Sequence, residues 1–107
     1  MLSEDFYCDE VLSGQTQVDK LIETEHVLAY HHTRPFWETH IVIVPKTHID
    51  SLLTVDNETL AELLEVVKIV ASQVVAEKGG ARVLTNLGEY QDSKHLHFHV
   101  NSGKQIR

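Results

Sequence analysis

A chain of 107 residues, 42% of them hydrophobic, fits one globular domain around one modest core. Its formal net charge of -7 speaks against unspecific attraction to nucleic acid or an anionic membrane, so any anionic ligand must be caught by local groups. The single cysteine, Cys8, cannot close an intramolecular disulfide, and no apolar run approaches the roughly 18–20 residues that span a bilayer. The acidic start Met1-Leu2-Ser3-Glu4-Asp5 lacks the pattern of a signal peptide, and a reducing, cytoplasmic location is expected.

No repeat or linker divides the chain, so residues 1–107 are read as a single domain. Residues 6–12 suggest a short helix stopped by Ser13-Gly14. Two strands are expected next. In residues 17–23, Val18, Lys20 and Ile22 alternate with Asp19, Leu21 and Glu23; a hairpin turn at Glu23-Thr24-Glu25 leads into residues 26–31. Beyond a loop carrying Arg34-Pro35-Phe36-Trp37, the run His40-Ile41-Val42-Ile43-Val44 is nearly all β-branched and stops at Pro45, the pattern of a central strand buried on both faces.

A long helix is predicted from an N-cap at Asp56 to Gly79-Gly80. Leu60, Leu63, Leu64, Val67, Val70, Ala71 and Val74 keep helical spacing, while Val66, Ile69 and Val75 widen the stripe beyond what one sheet needs. The surplus is either a broad core face or part of a subunit interface. A strand at 81–85, a polar loop at 86–94 and a strand at 95–100 complete the chain. The order gives an α+β fold with a mainly antiparallel five-stranded sheet, one long helix and a short N-terminal helix.

The last strand reads His95-Leu96-His97-Phe98-His99-Val100. Successive strand side chains point to opposite faces, so the three imidazoles share one face and the three apolar residues the other. Burying each apolar residue contributes about 1.5–3 kcal/mol, and a one-residue slip would reverse both faces, so the register is strongly specified. A free imidazole near neutral pH is both nucleophile and proton carrier. His40 opens the central strand and His48 follows its end, both placed to join the row, although His26, His31 and His48 taken singly read more simply as capped or core-satisfied rings. Paired imidazole roles predict a rate maximum near neutrality.

The alternating motif resembles the signature of the histidine triad (HIT) superfamily. Val27-Leu28-Ala29-Tyr30, Pro35, and Thr39-His40-Ile41-Val42-Ile43-Val44-Pro45-Lys46-Thr47-His48-Ile49 are similar to that family's strand, loop and central strand with a Pro-Lys-x-His turn. Asn86, Gly88 and Gln91 match its Asn-x-Gly and the glutamine before the triad. The likeness is greatest to the short Hint-like branch, the nucleoside phosphoramidate hydrolases.

The resemblance implies a HIT-like fold, a homodimer whose two sheets join, and a nucleotide hydrolase or transferase acting at the α-phosphorus of a purine nucleotide or nucleoside phosphoramidate. By it, His97 attacks phosphorus and a nucleotidyl-histidine forms, with no metal and no cofactor. His99 and His40 would contact phosphate oxygens and the leaving group, and His95 would support the nucleophile. Asn86, Gly88, Gln91 and Ser93 would line the phosphate end, and Leu28, Tyr30 and His32 the nucleoside. The chain departs from the pattern where His32 replaces an acid that bonds ribose and Asp92 replaces a small hydroxyl residue. Asp5 and Cys8 stand where some relatives carry a zinc-binding Cys pair, so no structural zinc is expected. Two other readings stay open: a non-catalytic nucleotide-binding or interaction module, and a metal-dependent hydrolase using the histidines as ligands.

Overall fold

The computed structural model describes residues 17–107; the expected helix at 6–12 lies outside them. Five strands and one long helix follow in chain order: β1 (Asp19–Glu23), β2 (Val27–His31), β3 (Trp37–Pro45), α1 (Asn57–Lys78), β4 (Arg82–Leu84) and β5 (Phe98–Gln105). The sheet is antiparallel throughout, in the order β1-β2-β3-β5-β4, so the α+β architecture is as expected.

The β-branched run forms the middle of this sheet. Ile41 and Ile43 face α1, joining Val27, Ala29, Phe98 and Val100 against Leu63, Val66, Val67, Val70 and Val74. Val42 and Val44 face the other way and cluster with Leu28 and Tyr30. Both faces of β3 are therefore core, which is why its sequence shows no polar alternation beyond His40. Its strand begins earlier than expected, at Trp37, because pairing with β5 extends to Trp37 opposite Gln105.

α1 has the predicted ends. The Asp56 carboxylate accepts from the Thr59 N–H at 2.7 Å, and Gly79 closes the helix in the left-handed conformation, its N–H donating to the Val75 carbonyl. The surplus apolar residues divide: Val66 is buried in the core, whereas Leu64, Ile69 and Val75 are exposed.

The structure corrects three local readings. β5 starts at Phe98 rather than His95 and runs to Gln105, so His95, Leu96 and His97 approach the sheet before its ladder begins. Leu96 instead donates its N–H to the Ile49 carbonyl at 2.6 Å. The alternation still holds across both parts, since Leu96, Phe98 and Val100 all enter the α1-side core. In β1 a bulge between Lys20 and Ile22 breaks the expected alternation and leaves Leu21 exposed. His26 and His31, read as capped or core rings, are exposed at the surface.

A second bulge shapes the far end of β5. Trp37 pairs with Gln105 and Thr39 with Ser102, so Glu38 stands opposite two residues, Gly103 and Lys104. Gly103 supplies the φ of +84° this requires, and the Glu38 carboxylate accepts the Lys104 N–H at 2.7 Å. Beyond the bulge, Ile106 donates its N–H to the Phe36 carbonyl at 2.8 Å, tying the end of the chain to the loop before β3.

Candidate active site

His40 on β3 and His99 on β5 emerge on the sheet face opposite α1, because their neighbours Ile41 and Val100 point into the α1-side core. Their rings meet: His40 Nε2 and His99 Nδ1 are 2.9 Å apart. His97 stands edge-on to His99 at 4.8 Å between centroids, and His32 stacks on His40 at 4.4 Å with 29° between planes. Four imidazoles thus form one continuous column, in the order His32, His40, His99, His97.

His95 takes a different place. Its ring is fully buried, its Nε2–H donates to the Pro45 carbonyl at 2.9 Å, and it meets His48 edge to face at 5.3 Å. His95 does hold His97, but through its backbone: the His97 Nδ1–H donates to the His95 carbonyl at 2.7 Å. The His97 carbonyl is held in turn by the Thr85 hydroxyl at 2.6 Å.

Hydrogen-bond partners decide where the protons sit, since a carbonyl only accepts and a backbone N–H only donates. His97 carries its proton on Nδ1, so its lone pair is on Nε2. His32 accepts from the Arg34 N–H at 2.9 Å and His40 from the Phe36 N–H at 3.1 Å, both at Nδ1, so each neutral ring carries its proton on Nε2. His40 therefore donates to His99 Nδ1, and His99 also becomes an Nε2–H donor. Within the column, His97 is thus the opposite tautomer to His32, His40 and His99.

Burial keeps these rings neutral. It is the largest cause in every case, pushing His99 down to about 3 and His40 to about 4, with neighbouring imidazoles adding to the effect. His32 and His97 also lie below the usual histidine value, burial again leading; for His97 the bond to the His95 carbonyl and, more weakly, the Asp92 charge pull the other way. His97 retains only 4% of its exposure, while His99 is half-buried and more open to a ligand.

The loop residues separate into several roles. Gln91 is buried and its side-chain amide donates to the Asp50 carbonyl at 2.6 Å, so it braces the loop against the segment after β3. Ser93 is buried beside it, Asn86 is half-buried, and Gly88 opens a single 3-10 turn with φ +61°. The Gly88 carbonyl accepts from Lys94 Nζ at 3.1 Å, so this lysine braces the loop. Asp92 is exposed. Leu28 and Tyr30 share the histidine face but are almost wholly buried.

Sequence reasoning did not anticipate the groups that orient the rings: the Phe36 and Arg34 N–H groups and the Pro45 and His95 carbonyls. Backbone donors carry no residue-type signal. His48, read singly as a capped ring, has its Nε2 2.7 Å from the Asp50 carboxylate, and its ring borders His95.

As a metal site this arrangement fits poorly, since the Nδ1 lone pairs of His32, His40 and His99 are already engaged by N–H donors and Nε2 carries the proton. No three or more His, Cys, Asp or Glu side chains among the described residues are arranged so that they could hold a metal ion. No helix among them is long and apolar enough to cross a membrane.

The HIT domain family model matches residues 13–106, and the chain belongs to that family. An uncharacterized HIT-like protein of Azospirillum brasilense is 37% identical over 103 residues, covering 90% of this chain and 84% of its own length. An adenosine 5'-monophosphoramidase of Candida albicans is 29% identical over 99 residues, covering 85% of this chain and 65% of its own. Among solved structures, a hypothetical histidine triad nucleotide-binding protein from Sulfolobus tokodaii superposes with a TM-score of 0.84 at 30% identity, covering 94% of this chain and 70% of that one.

Proposed function

We infer that this protein is a nucleotide hydrolase or transferase that acts at the α-phosphorus of nucleoside phosphoramidates or related nucleotides. The observation that carries the reading is the 2.7 Å bond from His97 Nδ1–H to the His95 carbonyl, which orients a neutral imidazole with its lone pair on Nε2, edge-on to the His99 ring. The likeness to the Candida albicans monophosphoramidase supports the same chemistry.

In this mechanism His97 Nε2 attacks phosphorus and the P–N bond to the leaving amine breaks, its electron pair staying on nitrogen. The phosphorylated ring keeps Nδ1–H and carries a positive charge, which the His95 carbonyl stabilises. The His99 Nε2–H donates to a phosphoryl oxygen as charge develops there, held in place by His40. The amine takes its departing proton from solvent, because the imidazoles of the column are neutral at pH 7. Water then cleaves the nucleotidyl-histidine, returning His97 Nε2 and releasing the nucleoside monophosphate. Asn86, Gly88, Gln91 and Ser93 shape the phosphate end, and Leu28, Tyr30 and His32 the nucleoside end.

A His97→Ala variant assayed against an adenosine or guanosine phosphoramidate tests the reading. The expected result is a folded protein whose kcat falls by about a thousandfold or more. Turnover equal to the parent's would remove His97 as nucleophile, and nucleotide binding without turnover in the parent would favour the binding-module alternative.

The same reading makes the protein a cytoplasmic homodimer. The short edge strand β4 exposes Val83 and Leu84, and α1 exposes Leu64 and Val75, which lie about three helical turns apart on one line. These apolar surfaces suit a symmetric partner more than water.

A further inference from the structure

The loop between β2 and β3 donates two main-chain N–H groups to histidine rings, Arg34 to His32 and Phe36 to His40. Those two rings lie stacked against each other, so the loop addresses the column at its start. From there the polarity passes inward, because a His40 ring that accepts at Nδ1 has its proton at Nε2, and His99 must then accept at Nδ1.

The loop is itself held from outside. Past the Gly103 bulge, Ile106 donates its N–H to the Phe36 carbonyl at 2.8 Å and Arg107 Nε donates to the Pro35 carbonyl at 2.6 Å. Every link is a direct hydrogen bond.

We propose that the Phe36 main-chain N–H, pinned by Ile106 and Arg107 just after β5, is a positioning group that sets the tautomers of His40 and His99 and so aims the His99 Nε2–H at the reacting centre. In the opposite tautomer, His40 would direct its Nδ1–H at the Phe36 N–H, leaving two donors facing each other, and the proton between His40 and His99 would have to come from His99 Nδ1, which takes the N–H away from His99 Nε2. Both rings are held well below the ordinary histidine value, so the choice is between two neutral forms. The kinetic consequence rests on the reading of His97 and His99 above, whereas the tautomers themselves can be read without substrate.

Long-range proton–nitrogen NMR distinguishes protonated from unprotonated ring nitrogens, and the experiment compares the full-length parent with Phe36→Pro and Phe36→Ala. Proline removes the N–H; alanine removes only the ring. The parent and Phe36→Ala are expected to show His40 and His99 as single Nε2–H tautomers at pH 7, and Phe36→Pro to show mixed tautomers at both. A parent with His40 protonated at Nδ1, an unaltered Phe36→Pro, or an equal disturbance in Phe36→Ala would each overturn the proposal.

Should the proline variant not fold, the parent decides. Its Phe36 amide shift should stay constant from pH 8 to pH 6 and move only as His40 takes up a proton near pH 4; movement centred on pH 6.5 would overturn it. In turnover, Phe36→Pro should lower kcat about tenfold, the scale of one lost hydrogen bond to the site. Mixed tautomers with unchanged kcat would overturn the aiming role. A parent inactive on every phosphoramidate would instead refute the proposed function, with the tautomer result standing independently.

Discussion

An imidazole folded into a place that refuses its proton makes the native state less stable wherever the unfolded chain would accept that proton. His32, His40, His97 and His99 are all lowered from the ordinary value of 6.5, so above it both states are neutral and nothing is lost. As pH falls through 6.5 the unfolded chain gains protons that the native column resists down to about 4 at His40 and about 3 at His99. Stability should therefore decline from pH 6.5 toward pH 5, before carboxylates begin to titrate. Urea midpoints measured every half unit from pH 8 to pH 5 check this; a His99→Asn variant should flatten the slope, and a level parent profile would contradict the buried column. The same shifts alter the expected rate profile. A maximum near neutrality presumed imidazoles of ordinary acidity; with His97 lowered, the acid side of the profile should lie below pH 6.5.

Elements with local causes were the most legible. Asp56, Gly79 and the apolar spacing between them marked α1 to within a residue, since capping and periodicity act over a few neighbours. Asp56→Ala should keep the fold and lower the melting temperature by a few degrees, as the Thr59 N–H loses its acceptor. β5 was displaced by three residues for the opposite reason. A strand begins where its partner allows, and the β3 ladder ends at Ile43 opposite Phe98, with the Pro45 carbonyl taken by the His95 ring. The Gly103 bulge was equally hidden, because it depends on Glu38 from another strand. An added Cβ at Gly103 would collide with the Glu38 carboxylate and force a side chain into positive φ, so Gly103→Ala should cost about 1–3 kcal/mol in chemical denaturation. A neutral substitution would mean that β5 can pass Glu38 without the bulge.

At the scale of the whole molecule, the exposed apolar residues on α1 and β4 connect to the expected assembly. Sedimentation equilibrium should return about twice the 12.2 kDa chain mass, and Val83→Lys, which places a charge on the β4 edge, should shift the protein toward a monomer. A parent that sediments as a monomer at all concentrations would refute the homodimer. The candidate site was legible as composition: the alternating motif separated His97 and His99 from the core-facing Leu96, Phe98 and Val100, and the flanking residues pointed to the family. The division of labour within the row was not legible, because His95 looks equivalent to its neighbours until Pro45 and His48 are brought to it across the fold.

The sequence by itself determined the sheet faces, the helix and its ends, and the imidazoles available for chemistry, because periodicity, capping and side-chain type act along the chain. Tertiary structure alone decided which nitrogen of each imidazole holds its proton. That choice belongs to backbone amides and carbonyls, chemically alike at nearly every residue, and only their placement by the fold makes Phe36 a donor to His40 and the His95 carbonyl an acceptor for His97.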